Sequence, residues 1–257
     1  MESSIKEAAK IFNKVLKEAK SDPNILAFWL DGSRGKGILK HDESDYDCMM
    51  IVKDEILAEY KTRYEKIGNP AIELGVMALS EFKKFADWGG GMAWYRYNYV
   101  GIKPPLVDKT GQIRKIFEEK SIIPEDKKKK FINEALDHYI NEVYRSLKCF
   151  RDNQLIGARL EASESILPLL NTVFGLHGRL RPYYKYYDWE LKNYPLDKLS
   201  ISGDEFTKRI LVILEEADIK TQQKLLKEIE SITRKAGYGE VWDSWGDKIE
   251  WMNNFLN

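Results

Sequence analysis

The apolar residues of this chain change their spacing at Pro124, and that change limits the fold more than any other feature. Before it, continuous or alternating apolar runs suited to strands are interleaved with helical stripes. Ile25 to Leu30 is an unbroken run of the kind that fits a buried strand. Asp45 to Val52 reads as a second strand, and Ile72 to Leu79, set off by Gly68-Asn69-Pro70, as a third. Val107-Asp108-Lys109-Thr110-Gly111 reads as a short last strand and turn, followed by a helix to about residue 119. Ile5, Ala8, Ile11, Phe12, Val15 and Leu16 recur at helical spacing and predict an amphipathic first helix, stopped by Ser21-Asp22-Pro23-Asn24. Further helical segments are expected over 54–66 and 80–99. From Glu125 onward nearly every segment follows the helical period. Ile132, Leu136, Tyr139, Ile140, Val143 and Leu147 make one stripe, and Ile156, Leu160, Ile166, Leu167, Leu170, Val173 and Phe174 supply others. Helices are expected at 204–216 and 219–236, with a last segment over 240–256. The pattern predicts an α+β chain: a small mixed β-sheet domain over 1–122, then an α-helical bundle domain over 123–257.

Composition narrows the partners. Lys plus Arg and Asp plus Glu number 41 each, so no net field draws the chain to a polymeric nucleic acid or an anionic membrane. No apolar run approaches the roughly 20 residues of a spanning helix, and Met1-Glu2-Ser3-Ser4-Ile5-Lys6 lacks a signal peptide's apolar core, so a cytoplasmic protein is expected. The two cysteines, Cys48 and Cys149, form no C-x-x-C pair and suggest neither a disulfide framework nor a thiolate metal site.

The chemistry concentrates between the first two strands. Asp31-Gly32-Ser33-Arg34-Gly35-Lys36-Gly37 follows the first apolar run, and Ser44-Asp45-Tyr46-Asp47 opens the second. Residues two apart on a strand point to one face, so Asp45 and Asp47 project together and repel unless a cation lies between them. Mg²⁺ suits that position, because it prefers oxygen ligands and takes one or two carboxylates together with substrate phosphates. D-x-D before a strand is by itself ordinary turn chemistry. The preceding turn changes the reading. Gly32 lets backbone amides approach an anion, Ser33 offers a hydroxyl, and a helix starting there turns its amino end to the same phosphates. Arg34 and Lys36 either add charge-assisted contacts or are solvated surface.

These residues resemble the nucleotidyltransferases of the DNA polymerase β superfamily, whose signature is a Gly-Ser turn followed by Asp-x-Asp. The nearest resemblance is to the streptomycin adenylyltransferase-like aminoglycoside enzymes and to the lincosamide nucleotidyltransferases. It implies that Asp45 and Asp47 hold Mg²⁺ and that Gly32, Ser33, Arg34 and Ser44 serve the triphosphate. It also implies that a third carboxylate, matched here by Glu73, completes the metal site or acts as base on the accepting hydroxyl. Glu81 and Asp87 are weaker substitutes for that role. In the helical half, Arg181-Pro182-Tyr183-Tyr184-Lys185, Trp189-Glu190-Leu191 and Pro195 resemble a stretch of antibiotic-modifying members in which a lysine reaches the triphosphate, which makes Lys185 its counterpart. The arginine those relatives carry about a dozen residues earlier is unmatched, since Asn171 and Thr172 stand there; Arg179 or Arg181 is the candidate substitute. The implied reaction moves a nucleoside monophosphate from ATP or another nucleoside triphosphate to a hydroxyl of a small molecule, by a monomer or homodimer. An antitoxin-type protein adenylyltransferase and an inactive nucleotide-binding protein are the alternatives.

The remaining features carry less. His41, His138 and His177 are isolated, and Lys127 to Lys130 reads as a solvated helix face. Trp88-Gly89-Gly90-Gly91 and Trp94-Tyr95-Arg96-Tyr97-Asn98-Tyr99 read as core or interface packing, or as rings lining an acceptor pocket.

Overall fold

The early apolar runs carry nonpolar side chains on both faces, so each must be covered from two sides. The computed structural model describes residues 2–64 and 67–256, and the fold is α+β. Helix α1 (Glu2–Ser21) leads to β1 (Ile25–Leu30), the short α2 (Gly32–Lys36), β2 (Tyr46–Val52), α3 (Leu57–Tyr64), β3 (Ile72–Ala78), α4 (Leu79–Lys84), β4 (Val107–Asp108) and α5 (Ile113–Lys120). The strands form one mixed sheet in the order β3-β2-β1-β4. β1 runs antiparallel to β2 and β4, whereas β2 and β3 are parallel and are joined through α3, as parallel pairing requires a crossover.

The two-residue alternation sorts the side chains. Phe28, Met50 and Val52 pack under α1 against Ala8, Val15 and Ala19. On the opposite face Ala27, Trp29, Met49 and Ile51 pack against Phe82 of α4, Tyr99, and Ile113, Ile116 and Phe117 of α5. The indole of Trp29 lies 5.2 Å from the Phe82 ring and 5.1 Å from the Phe117 ring. Each fully buried side chain of this size contributes about 1.5–3 kcal/mol. Asp108 ends β4 and starts α5: its Oδ1 accepts from the Gly111 amide at 2.8 Å and its Oδ2 from that of Ile113 at 3.0 Å.

Three expected helices differ in detail. The segment over 54–66 is a 3₁₀ turn at Asp54–Ile56 followed by α3, and its positions 65 and 66 lie outside the described residues. The segment over 80–99 is α4 and a separate 3₁₀ stretch, Ala93–Tyr99. Ala86 at φ 56° and Gly89 at φ 83° turn the chain left-handed between them, and three successive glycines favour no helix. The segment over 240–256 is two helices, because Gly246 at φ 51° and ψ −134° occupies a region that residues with a β-carbon avoid.

The chain divides into two units, Met1–Ile122 and Ile123–Asn257. The second consists of α6 (Glu125–Arg151), α7 (Leu155–Glu164), α8 (Ile166–Leu176), α9 (Tyr187–Asn193), α10 (Gly203–Glu216), α11 (Ile219–Lys235), α12 (Gly239–Trp245) and α13 (Asp247–Asn254), with no strand among its described residues. The expected stripe from Ile132 to Leu147 is the buried face of α6. Glu125 and Asp126 in its first turn and Lys148 and Arg151 in its last complement the helix dipole. Ser202 Oγ caps α10 through the Glu205 amide, and Asp218 Oδ2 caps α11 through that of Thr221. Among the described residues no helix is long and apolar enough to cross a membrane.

Helix α2 approaches the sheet so closely that a β-carbon on Gly35 would lie 2.0 Å from the Leu30 carbonyl oxygen. Backbone on both sides leaves nothing to rotate away. Gly35→Ala is therefore expected to destabilise the protein by about 2 kcal/mol or more in urea unfolding. Gly68→Ala, where a β-carbon meets nothing within 4 Å, is the control and is expected to leave the midpoint in place.

Candidate active site

Beyond the apolar part of the sheet, the face that carries Trp29 and Met49 continues into acidic residues. Asp31 follows β1 two positions after Trp29, and Asp47 stands two positions before Met49 in β2. The parallel register sets Asp47 beside Glu73 of β3, and the pairing of Tyr46 with Ile72 continues into a bond from the Tyr46 amide to the Ala71 carbonyl at 2.9 Å. Asp45, one residue before β2, thus shares the face of Asp47 and Glu73. Asp45 and Glu73 are exposed, and Asp47 is half-buried.

The Gly-Ser turn is laid over Asp47. The Asp31 amide donates to the Asp47 carbonyl at 2.7 Å. Gly32 takes φ 58°, and a β-carbon there would lie 2.5 Å from Asp47 Oδ2. The left-handed φ favours glycine, and a side chain there would displace the Asp47 carboxylate. Ser33 is buried in the first turn of α2, and its carbonyl accepts from the Gly37 amide at 2.8 Å.

Arg34 acts within the loop that carries Asp45. Its Nε donates to the carbonyls of Ser44 at 2.8 Å and Asp45 at 3.1 Å, its Nη2 donates to that of Asp42 at 3.2 Å, and the guanidinium lies 3.9 Å over the Tyr46 ring. Ser44 Oγ closes the same loop by accepting from the His41 amide at 2.9 Å. Lys36 is buried, and its ammonium donates to the Tyr97 carbonyl at 2.8 Å and to the Val100 carbonyl. The two basic residues of the turn thus brace it from inside.

Asp31 is the residue that sequence reasoning passed over. It is only 5% exposed, and it accepts from Trp29 Nε1 at 3.0 Å and from the Tyr95 hydroxyl at 2.9 Å. Burial pushes its carboxyl up to about 6. The Trp29 and Tyr95 hydrogen bonds oppose that shift, the Asp47 charge adds to it, and Lys36 offsets part of it. The available signal was parity: Asp31 shares the strand face of Trp29, whose ring nitrogen needs an acceptor once buried.

Lys185 belongs to the second unit, exposed on a 3₁₀ turn, Tyr184–Tyr186. In that unit Asn171 Oδ1 accepts from Arg181 Nε at 3.2 Å, while Arg179 pairs with Glu190 at 3.3 Å. His177 is a structural histidine, its Nε2 accepting from the Lys198 amide at 3.1 Å. Glu81 makes an ion pair with Lys61, and Asp87 accepts from Lys120 at 2.9 Å, so both have partners elsewhere.

Among the described residues no group of three or more His, Cys, Asp or Glu side chains is gathered so that it could hold a metal ion. Asp45, Asp47 and Glu73 share a face without converging on a common centre, as mutually repelling carboxylates with access to water do. The fit to a hard cation rests instead on the Asp45 and Asp47 pair. Both offer hard oxygen donors of the kind that Mg²⁺ prefers.

Searches of protein-family models and of curated protein sequences return no match. Among solved structures, the chain is similar to the crystal structure of a nucleotidyltransferase-like protein from Exiguobacterium sibiricum. The two are 8% identical at a TM-score of 0.48, over 93% of this chain and 76% of that one. A likeness of that size assigns neither family nor activity.

The raised Asp31 carboxyl predicts a pH dependence of stability. An unfolded aspartate titrates near 4. The folded state therefore binds more protons between about pH 4 and 6, and stability falls as pH rises through that window. Asp31→Asn keeps an acceptor for Trp29 and removes the charge. Relative to wild type, its thermal midpoint is expected to rise between pH 4 and 7, by the equivalent of about 2 kcal/mol. A difference that stays constant across that range would refute the assignment.

Proposed function

We propose that this chain is a Mg²⁺-dependent nucleotidyltransferase that moves a nucleoside monophosphate, AMP from ATP in the first instance, to a hydroxyl group of a small molecule. One observation carries the reading: the Gly32-Ser33 turn is laid on the Asp47 carboxylate, with Asp45 and Glu73 on the same face. A phosphate-cradling backbone and a pair of metal-binding carboxylates at one point are what transfer from a triphosphate needs.

In this reading Asp45 and Asp47 hold the cation against the triphosphate, and the turn from Gly32 to Lys36 receives its phosphates. When bound, Mg²⁺ neutralises charge on the triphosphate and so eases departure of pyrophosphate. Glu73, in register with Asp47 and open to solvent, accepts the proton of the attacking hydroxyl. The acceptor oxygen forms a bond to the α-phosphorus as the bond to the bridging oxygen breaks, and the electron pair leaves with pyrophosphate. Arg34 fixes the backbone of the Asp45 loop, so its contribution is geometric. Aminoglycosides and lincosamides are the proposed acceptor classes, by analogy with the enzymes that the motif resembles.

The test is transfer of label from α-labelled ATP and the other nucleoside triphosphates to a panel of aminoglycosides and lincosamides, with Mg²⁺ present. Asp47→Asn is expected to lower turnover by at least about a hundredfold, because charge stabilisation at the phosphate is the largest catalytic contribution. Arg34→Ala is expected to lower kcat with little change in KM for ATP, as a brace does and a triphosphate ligand does not. Label that reaches no acceptor with any triphosphate would remove the transferase reading.

A further inference from the structure

A second feature of the first unit lies beside the acidic face, in the stretch from Trp88 to Tyr99. Trp94 is 55% exposed and Met92 40%, a large apolar surface on a segment otherwise well anchored. The anchoring is to the Gly-Ser turn itself. The Tyr95 hydroxyl donates to Asp31 Oδ2 at 2.9 Å, Lys36 donates to the carbonyls of Tyr97 and Val100, and the Lys103 amide donates to the Gly35 carbonyl at 3.0 Å. From the other side Arg96 donates to the carbonyls of Ala86, Glu119 and Ile122. The Tyr95 ring is wedged 5.0 Å from Phe85 and 6.0 Å from Tyr99, and the Trp94 ring stands 5.7 Å beyond it. Turn and indole are thus parts of one braced assembly.

We infer that the exposed indole of Trp94 is the surface on which the base of the bound nucleotide stacks. The inference rests on the nucleotidyl-transfer reading of the adjacent carboxylates.

The chemistry of the ledge selects the occupant. From Gly89 to Tyr95 the sequence is Gly-Gly-Gly-Met-Ala-Trp-Tyr, with no charged side chain. A β-carbon on Gly89 or Gly91 would meet nothing within 4 Å. A cationic acceptor calls for carboxylates, and the residues from Gly89 to Tyr95 include none. A neutral planar ring needs only a rigid aromatic face. The nucleotide supplies such a ring, tethered through one ribose to the phosphates that the turn would receive. Stacking of this kind tolerates every base, so the ledge contributes affinity for a nucleoside triphosphate without choosing among bases.

The experiment compares a non-hydrolysable α,β-methylene analogue of ATP with inorganic tripolyphosphate, each titrated calorimetrically with Mg²⁺ into the full chain. Wild type is expected to bind the analogue more tightly than tripolyphosphate. Trp94→Ala should lose about tenfold or more of the analogue affinity, Trp94→Phe should retain most of it, and tripolyphosphate should bind all three alike. Indole fluorescence gives a second readout: the analogue, and not tripolyphosphate, is expected to quench wild type more than Trp94→Phe. Trp94→Ala binding the analogue as tightly as wild type overturns the inference alone. Wild type that binds neither compound overturns the nucleotidyl-transfer reading and this inference with it.

Discussion

The backbone at Gly32 rests on the carboxylate of Asp47, and the organisation of the first unit turns on that contact. It exists because β1 and β2 pair antiparallel in a register that ends with the Asp31 amide on the Asp47 carbonyl. With the end of one strand fixed to the start of the next, the chain must leave β1 through a left-handed residue with no β-carbon. Gly35 meets the Leu30 carbonyl for the same reason, one turn later. Helix α2, the Lys36 strut and the segment from Ala93 to Tyr99 are then built outward from a close approach that two glycines permit.

Acidic residues crowd this end of the sheet, and the fold treats them differently. Asp45 and Glu73 are exposed to water. Asp31 is taken out of water, given two donors, and held with a raised carboxyl next to Asp47. Such a concentration of like charge opposes folding, and unfavourable electrostatics of this kind are typical of sites shaped for binding rather than for stability. Of the nearby cations, Arg34 and Lys36 donate to backbone carbonyls, and the Lys36 charge offsets part of the Asp31 shift. They stiffen the loops that present the carboxylates.

Much of the fold was legible from period alone. The strand runs at Ile25, Tyr46 and Ile72, and the α6 stripe from Ile132 to Leu147, appear where alternation and helical spacing put them, because burial on one or both faces leaves a direct trace in the sequence. The breaks were less visible. Ala86 gives no local sign that it turns left-handed, and Gly246 was one glycine among many in an otherwise helical pattern. At the site, Asp45 and Asp47 were readable as one face, since parity fixes which residues of a strand point together, whereas the place of Glu73 beside Asp47 came from strand pairing. That Arg34 and Ser44 serve the Asp45 loop was not readable, because a basic or hydroxylic loop residue meets backbone carbonyls or solvent with equal ease.

The sequence by itself determined which residues alternate, which recur each helical turn, and hence the division into a sheet-bearing half and a helical half with an acidic pair behind a glycine turn. The tertiary structure decided the rest: that Asp31 is buried beside Trp29 and Tyr95, that the turn touches Asp47, and that Trp94 stands exposed on a segment tied to that turn. The reason is the range of the forces involved. Period records burial, which each residue experiences through its own neighbours along the chain. Hydrogen bonds such as Tyr95 to Asp31 and Lys36 to Tyr97 join positions more than sixty residues apart, and their partners are fixed only when strand pairing brings the two stretches together.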